Sequence, residues 1–179
     1  PLLGKRVLVT GCGPIGALIV AAARRAGAAM IVATDVNALP LDSAKKVGAD
    51  LAFNIAVTPD ALQQFAIDKG SFDVLCEASG NAAALRGAFD VLKPRGVIVQ
   101  VGLGGDISLP INVIVAKEFD LRGAFRFHEE FSIAVELLNK GLIDVKPLIS
   151  GIFPYQDSVK AFQTAADRSK SMKVLVSFD

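Results

Sequence analysis

The sequence contains only one histidine and two cysteines, and this scarcity argues against a metal site within the chain. Catalytic zinc needs about three protein ligands drawn from cysteine, histidine and carboxylates. Cys12, Cys76 and His128 lie far apart and show no metal-like spacing, so we expect the chain itself to hold no metal. Two distant cysteines also give no disulfide framework, which favours the reducing cytoplasm as the location.

Long apolar runs and an excess of charge are missing as well. No apolar run reaches the ~18 residues of a membrane span, and no charged segment followed by an apolar one suggests a secretory signal. The formal net charge is +1, without a basic stripe, which argues against a nucleic-acid partner. Apolar residues make up 52% of the chain. We therefore expect a folded domain with a large core and with no membrane or nucleic-acid partner.

Tyr155 is the only tyrosine, and its neighbours disfavour one class of enzyme. Short-chain dehydrogenases need a tyrosine and a lysine four residues apart on one helix face. Val159 stands four residues after Tyr155, and Lys160 is one position too far. Hydroxy-acid dehydrogenases need a positioned acid–base histidine, and His128 alone does not make that case.

What the sequence does contain is a glycine-rich turn between a strand and a helix. Residues 6–16 read RVLVTGCGPIG, in which Gly11, Gly13 and Gly16 fit the G-x-G-x-x-G pattern after a short apolar strand and before an alanine-rich helix. Gly11 allows a tight turn, Gly13 lets the backbone approach a pyrophosphate, and Gly16 lets the helix pack close to the sheet. The pyrophosphate would lie on free N–H groups at the helix N-terminus, where the dipole favours an anion.

Asp35 completes this pattern. It follows a second β-like run, residues 30–34, at about the 20-residue distance from the glycines expected for the acid that binds a ribose hydroxyl group. Strand, glycine turn, helix, strand and acid together indicate a dinucleotide site. A 2′-phosphate would meet a like charge at Asp35, so we predict that NAD is preferred to NADP. Folds that bind FAD or S-adenosylmethionine stay open as minor alternatives, since the first βαβ unit alone does not exclude them.

Strand-like and helix-like runs alternate along the chain and predict an α/β, doubly wound, six-stranded parallel sheet with helices on both faces. The predicted strands are 7–9, 30–34, 49–54, 72–78, 97–101 and part of 119–127; the predicted helices are 15–26, 41–47, 58–69, 82–92 and 129–139. The apolar residues 107–116, from Ile107 to Ala116, do not fit the alternation. They are predicted to form an edge strand or an exposed apolar patch that joins two copies in a homodimer, or else a buried connection over the sheet.

Several motifs resemble a known family. The run GCGPIG with Asp35, the sequence EASG at 77–80, VG at 101–102, GAFRF at 123–127 and the segment 141–165 are similar to the medium-chain, zinc-dependent alcohol and polyol dehydrogenases of the sorbitol type. The resemblance covers nearly the whole chain and implies an NAD-binding Rossmann fold over residues 1–147. In that family the chain then returns to a GroES-like catalytic domain, so residues 148–179 are expected to be the returning piece of a domain that is otherwise absent.

The resemblance also implies what surrounds this domain in the whole protein. The chain begins with Pro1 rather than methionine, so we expect it to be part of a longer protein. The family's zinc ligands would lie in the missing part, and zinc is therefore expected only in the full-length parent. Dimers of that family form at the sheet edge where 107–116 are expected to lie.

Roles for individual residues follow from the same resemblance. The glycine loop would hold the pyrophosphate, Asp35 the adenosine ribose, and later segments the nicotinamide half, with Arg126 also facing the substrate. The expected cofactor-binding residues are Gly11, Gly13, Pro14, Ile15, Gly16, Asp35, Val36, Ala78, Ser79, Gly80, Val101, Gly102, Leu103, Ala124, Phe125 and Arg126.

The implied activity is hydride transfer from a secondary alcohol of a polyol or sugar acid to NAD. The chain alone is expected to bind cofactor without turnover; a stand-alone NAD-binding regulatory or interaction module is the alternative.

Overall fold

A computed structural model describes residues 1–179, and most of them belong to one six-stranded sheet. The strands lie in the order β3-β2-β1-β4-β5-β6, and every neighbouring pair is parallel. Their bounds are β1 Arg6–Thr10, β2 Met30–Asp35, β3 Leu51–Asn54, β4 Phe72–Glu77, β5 Leu92–Gln100 and β6 Asp120–Gly123. This confirms the predicted doubly wound α/β sheet. Its order reverses between β1 and β4, and ligands of such folds bind outside the carboxyl ends of the strands at that point.

Six helices accompany the strands. They are α1 Pro14–Arg25, α2 Ala38–Lys46, α3 Ala82–Gly87, α4 Ile111–Ala116, α5 Glu130–Asn139 and α6 Ser158–Ala166. Residues of α1 and α2 pack in one apolar cluster, and residues of α3 and α4 pack in the other. The helices therefore cover both faces of the sheet. None of them is long and apolar enough to cross a lipid bilayer.

The alternation of side chains along β1 explains why the sheet has a core on each face. Val7, Leu8 and Val9 have no exposed surface. Leu8 packs in the cluster that also holds Leu75 and Phe72, whereas Val7 and Val9 pack in the opposite one. Because successive side chains of a strand point to opposite faces, a strand covered on both sides must be apolar throughout. The run of three buried apolar residues therefore places β1 in the middle of the sheet.

Two of the predicted helices differ from the structure, the first in type and continuity and the second in length. Residues 58–69 form two 3₁₀ stretches, Pro59–Phe65 and Ile67–Lys69, instead of one α-helix, and the side chain of Thr58 caps neither. Asp68 and Lys69 have φ values of 53° and 70°, and this left-handed backbone ends any regular helix. The helix predicted at 82–92 likewise ends at Gly87.

Residues 93–96, between the predicted helix 82–92 and the predicted strand 97–101, are an irregular part of β5. The strand pairs Phe72 with Leu92 and then Val74 with Val97, so its register slips between the two pairs. Arg95, inside this stretch, has φ 64°. Pairing on both sides of a short bulge keeps the segment in the sheet, whereas the sequence KPRG alone suggests only a break.

The prediction that 107–116 form an edge strand is also wrong. Residues 111–116 form the short helix α4, and Pro110 precedes its first turn. The edge strand on this side of the sheet is β6, with β3 at the opposite edge. Pro110 has no N–H to donate to a strand ladder, while its carbonyl oxygen accepts from Val113 N at 2.9 Å. Val113 packs against the core, yet Ile111 and Val115 are 62% and 70% exposed. The segment is thus partly a cover over the sheet and partly an exposed apolar patch.

The last residues form a small separate sheet. Strands β7 (Ile149–Pro154) and β8 (Lys173–Ser177) pair in parallel, and α6 lies between them in the sequence. Leu148 and Met172 pack with Ala17 of α1 in a third, small cluster. Through these side chains the terminal unit contacts the first helix after the glycine turn.

Candidate functional site

The turn between β1 and α1 depends on two glycines with no room for a side chain. Gly11 has φ +80°, and a Cβ atom there would lie 2.7 Å from the backbone of Ser79. A Cβ at Gly16 would lie 1.8 Å from the carbonyl oxygen of Gly11. Only glycine lets the turn close on itself and on the β4 loop, as the G-x-G-x-x-G pattern predicts.

Gly13 differs from these two, because nothing lies within 4 Å of the Cβ that a side chain would place there. It occupies the N-cap position of α1, where no side chain caps the helix and the first turn contains no acidic residue. Pro14, the first helical residue, has no N–H, and the amides of Ile15 and Gly16 have no hydrogen-bond partner, so these two N–H groups are free. An open glycine in front of uncapped amides is a surface on which a pyrophosphate can lie.

Asp35 is fixed next to this turn by hydrogen bonds from backbone amides. Its Oδ2 accepts from Cys12 N at 2.7 Å, and its Oδ1 accepts from Val36 N at 2.8 Å and Asn37 N at 2.9 Å. Each carboxylate oxygen has two lone pairs, so Oδ2 keeps a free acceptor position for a further donor. The neighbours Val36 and Asn37 bring no positive charge. A ribose hydroxyl group suits this carboxylate better than a phosphate does.

A cleft of about 710 Å³ opens beside the glycine turn. It reaches from the ends of β1 and β2 to the start of α3, and its lining includes Thr10, Gly11, Thr34, Asp35, Val36, Ile55, Ser79 and Asn81. Of the residues predicted to bind the pyrophosphate and the ribose, Gly11, Asp35 and Val36 line this cleft together with Ser79. The other predicted residues, namely 13–16, 78, 80, 101–103 and 124–126, do not line this cleft.

The loops after β4 and β5 touch each other through their backbones. A Cβ at Gly80 would lie 2.4 Å from the carbonyl oxygen of Leu103, and one at Gly102 would lie 2.1 Å from Gly80 N. Gly80 also has φ +68°. The predicted residues 78–80 and 101–103 therefore form one surface next to the glycine turn, although they are distant in sequence.

Glu77, at the end of β4, is a polar residue of this region to which the sequence analysis gave no role. It is fully buried, and its carboxylate accepts hydrogen bonds from Ser79 N at 2.8 Å and from Gln100 Nε2 at 2.6 Å. The signal in the sequence is a carboxylate as the last residue of a mainly apolar strand, FDVLCE, whose other charged residue is Asp73. Ser79 is close in sequence, but Gln100 comes from β5, and no local pattern names it as a partner.

Arg126 stands apart from the cleft, on an exposed segment after β6. Ala124 N donates to the carbonyl oxygen of Gln100 at 2.9 Å, which ties the start of this segment to the end of β5. The Arg126 guanidinium lies 4.9 Å from the ring centre of Phe125, and the Arg126 backbone has φ 65°. Left-handed backbone in a bulky residue carries strain of a kind that clusters at functional sites.

The two cysteines and the histidine do not come together. Burial raises the pKa of the Cys12 thiol to about 12, with the Asp35 charge adding to the effect, and burial raises the pKa of Cys76 to about 11. His128 is exposed near the start of α5. No group of three His, Cys, Asp or Glu side chains is placed to hold a metal ion.

A parallel α/β sheet with a glycine turn, free helix amides and an acid after β2 defines a dinucleotide-binding domain. The sequence profile of the zinc-binding dehydrogenases matches residues 14–140. The chain belongs to this family of oxidoreductases.

Individual relatives agree with this assignment. L-Idonate 5-dehydrogenase (NAD(P)(+)) of Escherichia coli K12 is 41% identical over 178 residues, which cover 99% of this chain and 51% of that protein. Its crystal structure superposes with a TM-score of 0.92. Sorbitol dehydrogenase of Gallus gallus is 34% identical over 183 residues and is covered to the same 51%.

One further solved structure contains a cofactor. A protein of Escherichia coli CFT073 described as a short chain alcohol dehydrogenase, solved with NADH, is 28% identical, with a TM-score of 0.89 and coverage of 99% of this chain and 53% of that one. The chain therefore spans about half the length of the relatives it matches.

Proposed function

We propose that this chain is the NAD-binding domain of a zinc-dependent dehydrogenase that oxidises a secondary alcohol of a polyol or sugar acid. The observation that carries the proposal is the open backbone at Gly13, in front of the uncapped amides of α1 and beside the anchored carboxylate of Asp35. Amides favour the pyrophosphate, and the carboxylate favours the ribose diol. The named activities of L-idonate 5-dehydrogenase and sorbitol dehydrogenase support this substrate class.

The chain's contribution to the reaction is to bind and orient the cofactor. NAD, when bound, supplies the nicotinamide ring that accepts the hydride. Gly13, Pro14 and the first amides of α1 hold the pyrophosphate, and Asp35 orients the adenosine ribose. The surface formed by 78–80 and 101–103 lies against the nicotinamide half, with 124–126 at its carboxamide and Arg126 facing the substrate.

Zinc does not fit any site in this chain. Both thiols are buried with raised pKa values, and the exposed His128 has no companion ligand. We therefore place the zinc ligands in a further segment of the whole protein, as the family description implies, and assign no part of the metal chemistry to these residues.

The exposed apolar residues of the terminal unit support a further catalytic domain. Val159 and Phe162 on α6 are 70% and 75% exposed, and Phe178 is 81% exposed. Large apolar patches of this kind mark surfaces that another domain or chain covers. We propose that residues 1–147 form the cofactor domain and that residues 148–179 pack against a catalytic domain. In the alternative function, a stand-alone regulatory module, only a second copy of the chain could cover this surface.

Asp35 is also the basis for a preference for NAD over NADP. A 2′-phosphate about 4 Å from a carboxylate costs about 4 kcal/mol at an effective dielectric of 20. Neither Val36 nor Asn37 offers a compensating cation. L-Idonate 5-dehydrogenase of Escherichia coli is named for both NAD and NADP. We therefore express the proposed preference as a ratio of the two affinities and not as exclusive binding of NAD.

Calorimetric titration tests the proposal with four ligands: NAD, NADP, FAD and S-adenosylmethionine. Binding of NAD, weaker binding of NADP and no binding of the other two support it. Tighter binding of FAD or S-adenosylmethionine would show that the first βαβ unit serves another cofactor. Elemental analysis of the same sample should find no stoichiometric zinc; about one tightly bound zinc per chain would contradict the placement of the metal ligands elsewhere.

A further inference from the structure

Glu77 is a buried carboxylate at the middle of the sheet's carboxyl edge. It ends β4, and its neighbours in register are Thr10 on β1 and Gln100 on β5. It has no exposed surface. The loops that follow these three strands are the glycine turn, residues 78–80 and residues 101–103. One side chain thus lies where three of the loops of the proposed site begin.

The first carboxylate oxygen of Glu77 holds the loop after its own strand. Oε1 accepts from Ser79 N at 2.8 Å, from Gly80 N at 3.1 Å and from the Ser79 hydroxyl. The same hydroxyl oxygen accepts from Asn81 N at 3.0 Å. Residues 79–81 are therefore fixed by a connected set of hydrogen bonds that ends on Glu77, just before α3 begins.

The second oxygen holds the loop after β5 and shares the loop after β4, because Oε2 also accepts from Gly80 N at 3.0 Å. Oε2 accepts from Gln100 Nε2 at 2.6 Å, and the same nitrogen donates to the carbonyl oxygen of Gly102 at 2.8 Å. The main-chain carbonyl of Glu77 also accepts from Val101 N and Gly102 N, each at 2.8 Å. Glu77 therefore joins two loops that share no sequence neighbourhood and that meet at Gly80 and Leu103.

Neutral donors alone satisfy this carboxylate. No lysine, arginine or histidine pairs with Glu77; its partners are amide N–H groups, the Ser79 hydroxyl and, at 3.5 Å, the Thr10 hydroxyl. Burying a carboxylate is costly unless its hydrogen bonds are made. An apolar residue would fill the same place without that cost but could not tie the loops together. A glutamate differs here from an apolar residue of similar size in the directional hydrogen bonds that it accepts.

We propose that Glu77 is a positioning residue that sets the geometry of the nicotinamide half of the cofactor site. The inference depends on the proposed function, since it assumes that the loops 78–80 and 101–103 contact that half. The glycine turn has anchors of its own, because Gly11 N donates to the carbonyl of Thr34 at 2.8 Å and Cys12 N donates to Asp35. A change at Glu77 should therefore affect the nicotinamide half and spare the adenosine and pyrophosphate half.

Glu77→Gln tests this role with two ligands, NADH and ADP-ribose, the second of which lacks nicotinamide. The substituted amide nitrogen would face a donor, either Gln100 Nε2 or an amide of the 79–80 turn, so at least one link breaks. We expect NADH to bind about tenfold more weakly than to the unchanged chain, with ADP-ribose affinity within about twofold. Glu118→Gln, at an exposed glutamate, is the matched control and should alter neither affinity.

Gln100→Met provides a second variant in case Glu77→Gln folds poorly. It removes the two hydrogen bonds that Gln100 Nε2 donates, to Glu77 Oε2 and to the Gly102 carbonyl, and leaves the bonds from Ser79 and Gly80 to Glu77 in place. Methionine keeps an unbranched side chain of similar length. Amide hydrogen exchange should then become faster in 101–104 and stay unchanged in 79–81, whereas Glu77→Gln should speed exchange in both loops. Gln156→Met, at an exposed glutamine, should change neither.

Three results would overturn the inference. Equal losses for NADH and ADP-ribose would show a general structural role, and unchanged NADH binding in both variants would show that the loops need no such anchor. If the unchanged chain bound ADP-ribose but gained nothing from the nicotinamide of NADH, the loops would not contact the ring. Failure of the unchanged chain to bind either ligand would instead contradict the proposed function itself, and this inference with it.

Discussion

The carboxylate of Asp35 accepts the N–H of Cys12 at 2.7 Å, so the acid after β2 and the glycine turn after β1 form a single unit. The proposed ribose ligand is at the same time a structural anchor of the proposed pyrophosphate site. Substitution of Asp35 should therefore change both cofactor choice and the stability of the turn.

Asp35→Ser should shift the ratio of NADP to NAD affinity towards NADP by about tenfold or more, because it removes a like charge near the 2′-position. It should also lower the free energy of unfolding by about 1–3 kcal/mol, because amides of Cys12, Val36 and Asn37 lose their acceptor. Calorimetric titration and urea unfolding measure the two effects. Asp42→Ser, at an exposed position of α2, is the control; an unchanged ratio in Asp35→Ser would remove Asp35 from the cofactor site.

Two glycines of the same turn should respond differently to the same change. Gly16→Ala places a Cβ 1.8 Å from the Gly11 carbonyl oxygen, and we expect a loss of about 3 kcal/mol or more in stability. Gly13→Ala meets no atom within 4 Å, so its stability should stay within about 0.5 kcal/mol of the original.

Cofactor binding separates the two variants further. The Cβ at residue 13 would occupy the space proposed for the pyrophosphate, so Gly13→Ala should bind NAD about tenfold more weakly or worse while remaining folded. Thermal unfolding and NAD titration on the same samples check both statements. Normal NAD affinity in Gly13→Ala would mean that no ligand approaches the backbone there.

Asp73 should make the fold sensitive to acid. Burial alone would raise its pKa, but the N–H of Arg6 at 2.8 Å and the Lys93 ammonium at 2.9 Å outweigh burial and lower the pKa below the usual 3.8. The unfolded chain then binds this proton at a higher pH than the folded chain does. The stability that Asp73 contributes is complete above the unfolded pKa and is lost as the pH falls through the folded one.

Thermal unfolding measured from about pH 6 down to about pH 3 checks this dependence. Asp73→Asn should be less stable at neutral pH and should lose less on acidification than the unchanged chain. Asp106→Asn, at an exposed loop position, should follow the original curve. Parallel curves for Asp73→Asn and the original would mean that Asp73 contributes nothing to the acid response.

The features that could be predicted from sequence are those that a local pattern specifies. Gly11 and Gly16 are demanded by contacts within the turn or with the adjoining strand loop, and the acid after β2 has a regular spacing from them. Two features could not be predicted in this way: the helix within 107–116 and the hydrogen bonds that Glu77 accepts from other strands. Both depend on contacts between segments that are distant in sequence. A short apolar run such as 107–116 suits a helix or a strand equally, and only its packing on the sheet decides. Glu77 accepts hydrogen bonds from Ser79, which is close in sequence, but its bonds from Gln100 and Thr10 cross to other strands, and no spacing within one segment could reveal them.

The exposed side of α4 is an apolar surface on which two copies of the chain are expected to associate. Ile111 and Val115 are 62% and 70% exposed, and the neighbouring β6 is the open edge of the sheet, with Leu121 45% exposed. Unpaired edge groups beside apolar side chains favour contact with a second copy through a two-fold axis. We therefore expect a homodimer through 107–116 and β6 that forms at tens of micromolar chain.

Light scattering on two double variants distinguishes this surface from that of α6. Ile111→Asp with Val115→Asp should give a monomer, because the two charges would be buried unpaired in the contact. Val113 is not a useful target, since it packs against the core and its substitution would test folding instead. Val159→Asp with Phe162→Asp, on the exposed face of α6, is the matched control and should stay dimeric. A monomer in the control, or a dimer in the α4 variant, would assign the association to the terminal unit, whose apolar face then joins two copies where a catalytic domain would otherwise lie.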